Sequence, residues 1–200
     1  MSKTMEIVKA TRTMDKLFGL RREVDFTFEF DEKGNILVNV NTKLDDNIYF
    51  WMGDETEIPY QIKCGPRLPR IFLGEDLEDV NSIESLNNLP LNMTSLIITG
   101  ATNLFDFEGL KPGTIVKNLC IEDCKICNFE FCPTITEYLE IRNCPINDIS
   151  NLKTKFKGKE ILFSNDILEV EYGISTKRCF DYESFENWFN KEVMIHIEGD

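Results

Sequence analysis

Five of the seven cysteines in this chain, Cys120, Cys124, Cys127, Cys132 and Cys144, fall within 25 residues of one another. Cys124-x-x-Cys127 has the spacing of a zinc-ligand pair, so a thiolate metal site is the first chemistry to consider. The surrounding residues argue against it. Cys120 sits between Leu119 and Ile121 in an alternating run, and on a strand its side chain faces away from theirs. Cys124 and Cys144 hold equivalent places in two copies of one pattern and should point inward. Ligands on opposite faces cannot converge on one ion. The thiols are therefore expected to be core and surface groups, with no metal and no cofactor. An odd cysteine count also fits a reducing compartment better than a disulfide framework.

Other reactive types are sparse. His196 is the sole histidine and lies between Ile195 and Ile197, which leaves little room for imidazole acid–base work or a multi-histidine metal site. Asp45, Asp46, Asp54, Glu55 and Glu57 form a carboxylate-rich stretch in which a paired-carboxylate hydrolase site is conceivable. No EF-hand spacing, nucleophile elbow, phosphate-binding glycine loop or H-E-x-x-H motif is present. The expectation is a protein without catalytic residues.

Charge narrows the choice of partner. With 35 acidic and 22 basic residues the formal charge is −13, opposite to what phosphate neutralisation requires. Direct nucleic-acid binding is not expected, whereas a basic protein partner is compatible. Between Ile71 and Leu110 there is no Lys or Arg, but there are Glu75, Asp76, Glu78, Asp79, Glu84, Asp106 and Glu108, read as a solvated convex face. The N-terminal residues lack the apolar core of a secretory signal, and no apolar run approaches the roughly 20 residues of a membrane helix. A cytoplasmic location and no membrane contact are expected.

The elements that would carry these residues read as α+β and β-rich. Met5, Val8, Met14, Leu17 and Phe18 suggest a short amphipathic helix. Phe26, Phe28 and Phe30 alternate with polar residues, Asp31 to Asn35 supplies turn chemistry, and Ile36 to Asn41 alternates again, which predicts a β-hairpin. A third strand is expected at 47–52, then a loop from Gly53 to Pro69. Residues 1–69 read as an N-terminal hairpin cap. Residues 70–165 read as a solenoid and 166–200 as a C-terminal αβ cap, in which Asp181 caps a helix bearing Phe185, Trp188 and Phe189, followed by a strand at 193–197.

The solenoid expectation rests on repetition. Leu119-x-Ile121-x-x-Cys124-x-Ile126-x-x-Phe129 is matched by Leu139-x-Ile141-x-x-Cys144-x-Ile146-x-x-Ile149, 20 residues on. A looser copy runs Leu96-x-Ile98-x-x-Ala101, then Leu104, Phe107 and Leu110, beginning 23 residues before Leu119. Ile71-x-Leu73 and Ile161-x-Phe163 extend the series in both directions. The pattern and its period of roughly 20–29 residues resemble those of leucine-rich-repeat proteins, over about half of the chain. That resemblance implies stacked coils that bind a protein along the open sheet face.

In each copy the residue between the two consensus apolar positions should reach that open face. The row is Phe72, Ile97, Cys120, Glu140 and Leu162, flanked by polar rows that include Tyr138 and Arg142. An apolar centre with a polar rim suits a protein interface. The predicted partner-binding set is Phe72, Ile97, Cys120, Tyr138, Glu140, Arg142 and Leu162. As a whole, the small, acidic, Asn- and Phe-rich chain is similar to accessory proteins of large tailed bacteriophages, which implies a host defence enzyme as partner, in the host cytoplasm. The expected function is a non-enzymatic interaction scaffold. The alternatives are a small hydrolase using the Asp45–Glu57 loop and a phage structural or assembly component.

Overall fold

The computed structural model describes residues 3–17, 25–41, 47–50, 56–65, 68–74, 82–146, 148–164 and 194–198. Helix α1 spans Lys3–Leu17. The strands are β1 (Asp25–Phe30), β2 (Ile36–Asn41), β3 (Asn47–Phe50), β4 (Gln61–Cys64), β5 (Arg70–Leu73), β6 (Asn92–Thr99), β7 (Ile115–Glu122), β8 (Thr134–Arg142), β9 (Glu160–Ser164) and β10 (Met194–Glu198). A single-turn helix, α2, occupies Leu152–Lys155.

Seven strands form one sheet in the order β10-β9-β8-β7-β6-β5-β3, and every neighbouring pair is parallel. The chain therefore returns to the same end before each strand and winds as a solenoid of about five turns. Alternation decides what each strand buries. Ile48 and Phe50, Ile71 and Leu73, Leu96 and Ile98, Leu119 and Ile121, Leu139 and Ile141, and Ile161 and Phe163 all point inward and are at most 3% exposed. The return segments close the core from the other side with a three-residue rhythm: Ile83, Leu86, Leu89; Leu104, Phe107, Leu110; Ile126, Phe129, Cys132. Phe107 and Phe129 stack with ring centroids 5.8 Å apart.

The turns repeat as well. The side chains of Asp106, Asn128 and Asp148 each accept the backbone N–H two residues on, at 2.7, 2.7 and 2.8 Å. Such Asx turns substitute for backbone pairing where the chain leaves regular structure. At the far end of the strands, Gly100, Asp123 and Asn143 hold φ of 64°, 53° and 48°. Gly, Asp and Asn tolerate that left-handed conformation at the least cost. Asn143 Nδ2 donates to Asp123 Oδ1 at 3.0 Å, which links two of these turns.

The predicted hairpin is present: β1 and β2 pair antiparallel from Phe30↔Ile36 to Asp25↔Asn41. Asp31 organises its turn by accepting from the N–H groups of Lys33 and Asn35 and from Asn35 Nδ2. Val38, Val40 and Ile62 belong to the same buried cluster as the solenoid interior. The hairpin sheet thus adds to the core rather than standing apart from it.

Several expectations need correction. The expected third strand is present as β3, but in the large sheet. It pairs with β5, so the large sheet reaches back across the boundary expected at residue 70. The segment expected as loop contains β4, which pairs parallel with β2. In α1, Ala10 and Met14 are buried while Met5 and Val8 are 61% and 47% exposed, so the inward stripe differs from the one expected. β10 falls close to the predicted terminal strand and pairs with β9. The helix expected after Asp181 lies outside the described residues. Among the described residues, no helix is long and apolar enough to cross a membrane.

Candidate functional site: the open sheet face

The ladder places the expected row in register. Phe72 pairs with Ile97, Ile97 with Cys120, Cys120 with Glu140 and Glu140 with Leu162. β3 adds a member the sequence did not supply, Tyr49, which pairs with Phe72 and stacks on it with centroids 4.4 Å apart. On one side runs Arg70, Ser95, Asn118, Tyr138 and Glu160. On the other run Thr99, Glu122 and Arg142. Strands roughly 4.8 Å apart make adjacent side chains shield each other. Accordingly Phe72, Ile97, Cys120 and Glu140 are half-buried, and Leu162 is only 9% exposed. Leu162 is therefore a poor contact residue, unlike its expected role.

Glu140 interrupts the apolar row and organises what surrounds it. Its carboxylate accepts from the Arg142 Nε–H, from the Tyr138 hydroxyl at 3.3 Å and from the Cys120 thiol at 3.6 Å. These four residues, expected only as separate contacts, form one hydrogen-bonded group. Burial pushes the Cys120 thiol up to about 12, and the Glu140 charge adds to it. Burial and Glu140 likewise push the Tyr138 phenol up. Both groups stay protonated at neutral pH, so neither is an activated nucleophile. Burial, followed by the nearby Asp123 and Glu140 carboxylates, pushes Glu122 up, while Arg142 pulls it down.

Cys124 and Cys144 point inward, as the repeat register leads one to expect. Cys124 and Cys144 are buried in successive coils and donate to the carbonyls of Glu122 and Arg142, each at 3.1 Å. Burial and the Cys124 thiol beside it push the Cys144 thiol up. Cys127, by contrast, is half-buried and bonds to the Phe105 carbonyl at 3.5 Å. Of the carboxylate-rich loop, Asp45, Asp46, Asp54 and Glu55 lie outside the described residues. Glu57 is exposed and accepts from Asn87 Nδ2 at 2.8 Å. The structure describes only the backbone of His196, which pairs with Leu162.

Sequence reasoning missed a second surface. Leu68 and Leu91, just ahead of β5 and β6, and Ile115, the first residue of β7, are 48%, 45% and 42% exposed. Leu68 and Leu91 border a groove of about 330 Å³ that Lys63 and Lys111 also line. The available signal was a Leu recurring 23 residues apart, each next to a proline. Pro69 makes the first of these segments read as loop. No protein-family model, curated protein or solved structure matches the chain.

Proposed function

We propose that this protein is a non-catalytic interaction scaffold, a leucine-rich-repeat-like solenoid that holds a protein partner on the open face of its seven-stranded sheet. One observation carries the reading: Tyr49, Phe72, Ile97 and Cys120 lie in one register row, half-buried between polar rows. A partner that covers this row removes apolar surface from water at about 25 cal/mol per Å², and the polar rows supply hydrogen bonds at the rim. The raised thiols and phenol on the face favour binding over covalent chemistry. Within this reading, a host defence enzyme is the partner class that the resemblance to phage accessory proteins implies.

The test is affinity capture from a bacterial lysate by the full chain, compared with a folded Phe72→Ala/Ile97→Glu variant. A stoichiometric protein retained by the wild type and lost by the variant supports the reading. A protein retained equally by both, with circular dichroism showing an intact variant, overturns it.

A further inference from the structure

The open face changes character from one side of the sheet to the other. Toward β3 it is apolar: the Tyr49–Phe72 stack is continued by Ile97. Toward β8 it is acidic: the Asp123 and Glu140 carboxylates both act on Glu122, with the Arg142 guanidinium among them. At the junction lies a depression of about 230 Å³ lined by Ile97, Thr99, Cys120, Glu122, Glu140 and Arg142. One wall is a branched alkyl chain and a protonated thiol, and the other carries the Glu122 and Glu140 carboxylates with the Arg142 guanidinium that pairs with Glu140.

That pairing of walls selects among cations. A carboxylate rim alone attracts any hydrated cation, but an apolar wall gains only from a cation that brings a hydrocarbon stem. Arg and Lys side chains have this form, with several methylenes below a charged head. The chain's charge of −13 would speed the approach of a basic protein and repel phosphate backbones. Phe72 on β5 and Glu122 on β7 are two strands apart, which sets a distance of roughly 10 Å between an apolar contact at the first and a basic contact at the second.

We propose that the partner is a protein that sets an arginine or lysine side chain into this depression beside Glu122 and Glu140, with an apolar side chain roughly 10 Å away on the Tyr49–Phe72 stack. This inference rests on reading the sheet face as the binding surface, and it specifies the chemistry of the occupant.

The experiment screens a bead library of short random peptides with the fluorescently labelled full chain. Selected peptides are then titrated against Glu122→Lys and Ile97→Asp, with circular dichroism to confirm folding. The expected selection pairs Arg or Lys with a large apolar residue a few positions away. Glu122→Lys should weaken those peptides by about tenfold or more, and added salt should weaken them further. If Glu122→Lys does not fold, Glu122→Gln replaces it and should show a smaller loss in the same direction. Selected peptides without a basic residue, no selected peptide at all, or preference for a single-stranded oligonucleotide would each overturn the inference. Loss with Ile97→Asp alone would overturn the basic contact and leave the face reading intact. Retention by both variants would overturn the two together.

Discussion

Ile121 and Cys120 are adjacent in the chain, and they lie on opposite faces of the same strand. The inner face repeats one solution in every coil: a pair of Ile, Leu or Phe side chains, at most 3% exposed, at β3 and at each strand from β5 to β9. The outer face changes at each step, from Tyr49 through Phe72, Ile97 and Cys120 to Glu140. Stacking explains the uniformity. Each coil buries its apolar side only against its neighbours, so any coil that departed from the pattern would leave a void in two interfaces. No such constraint acts outside, and variation there is free to follow a partner.

The sharpest way to break this comparison is to truncate both neighbours in turn. Ile121→Ala should cost about 2–5 kcal/mol, because a fully buried side chain in a tight stack leaves a cavity. Cys120→Ala should cost less than about 1 kcal/mol, since its half-buried thiol gives up one weak bond to Glu140. Urea denaturation of the two variants reads the difference. Equal costs would mean that the outer face is packed as tightly as the inner one, which would leave no room for a partner.

Among the described strands the register of the large sheet shifts at one place, and a glycine accommodates the shift. Between Val116 and Asn118 the β7–β8 register shifts, so that β8 holds an extra residue, and both Thr136 and Glu137 are exposed. The Glu137 carbonyl then projects toward the next coil, where a Cβ on Gly158 would lie 2.3 Å from it. Gly158→Ala should therefore cost about 1–3 kcal/mol through overpacking against backbone. Gly34→Ala meets open space at a φ of +86° and should cost only the conformational penalty, about 1 kcal/mol. Thermal midpoints of the pair separate contact from conformation. A Gly158→Ala variant as stable as wild type would place the bulge elsewhere.

The step from Leu119 to Leu139 is shorter than that from Leu96 to Leu119, and spacing alone does not say where the coil changes. Register across the face was legible because the alternation Leu-x-Ile is local and the side-chain period of a strand is two. The inward placement of Cys124 and Cys144 followed from the same period. β3 and β4 were misplaced because four-residue strands carry too little pattern to show which sheet they join, and the pairing is settled by contacts far away in sequence. The Asx turns at Asp106, Asn128 and Asp148 share an acid or amide, but Asp106 reads as part of a solvated acidic face and the other two belong to no pattern the sequence makes plain. The hydrogen-bonded group around Glu140 joins two strands and needs coordinates.

One exposed aromatic departs from the economy of the turns. Phe131 has a φ of 57° and is 55% exposed, in the return-turn position that Asn88 and Gly109 fill in the preceding coils. A large side chain in the left-handed region carries a conformational cost that Asn largely avoids. Phe131→Asn should raise stability by up to about 1 kcal/mol, the unfavourable backbone being relieved with little buried area lost. A decrease on thermal denaturation would show that the ring is packed in solution.

The smallest expected effect tests the outer face most directly. Burial and the neighbouring carboxylates push Glu122 above its ordinary value of 4.5, so the folded chain binds its proton more tightly than the unfolded chain does. Stability contributed through this group therefore falls as pH rises from 4.5 through the raised value, and the ionised side chain is a cost at neutral pH. Asp31 and Asp148 act in the opposite sense: backbone and side-chain hydrogen bonds lower them, so their contributions are present above 3.8 and lost as pH falls. Glu122→Gln removes only the first effect. The variant should melt higher than wild type at neutral pH, and the gain should vanish as pH drops below 4.5. If the same substitution weakens the selected basic peptides, one carboxylate is held at a cost to folding for the sake of binding. A variant that melts at the wild-type temperature across this range would mean that Glu122 is fully solvated, and the acidic wall of the depression would lose its advantage over any other surface carboxylate.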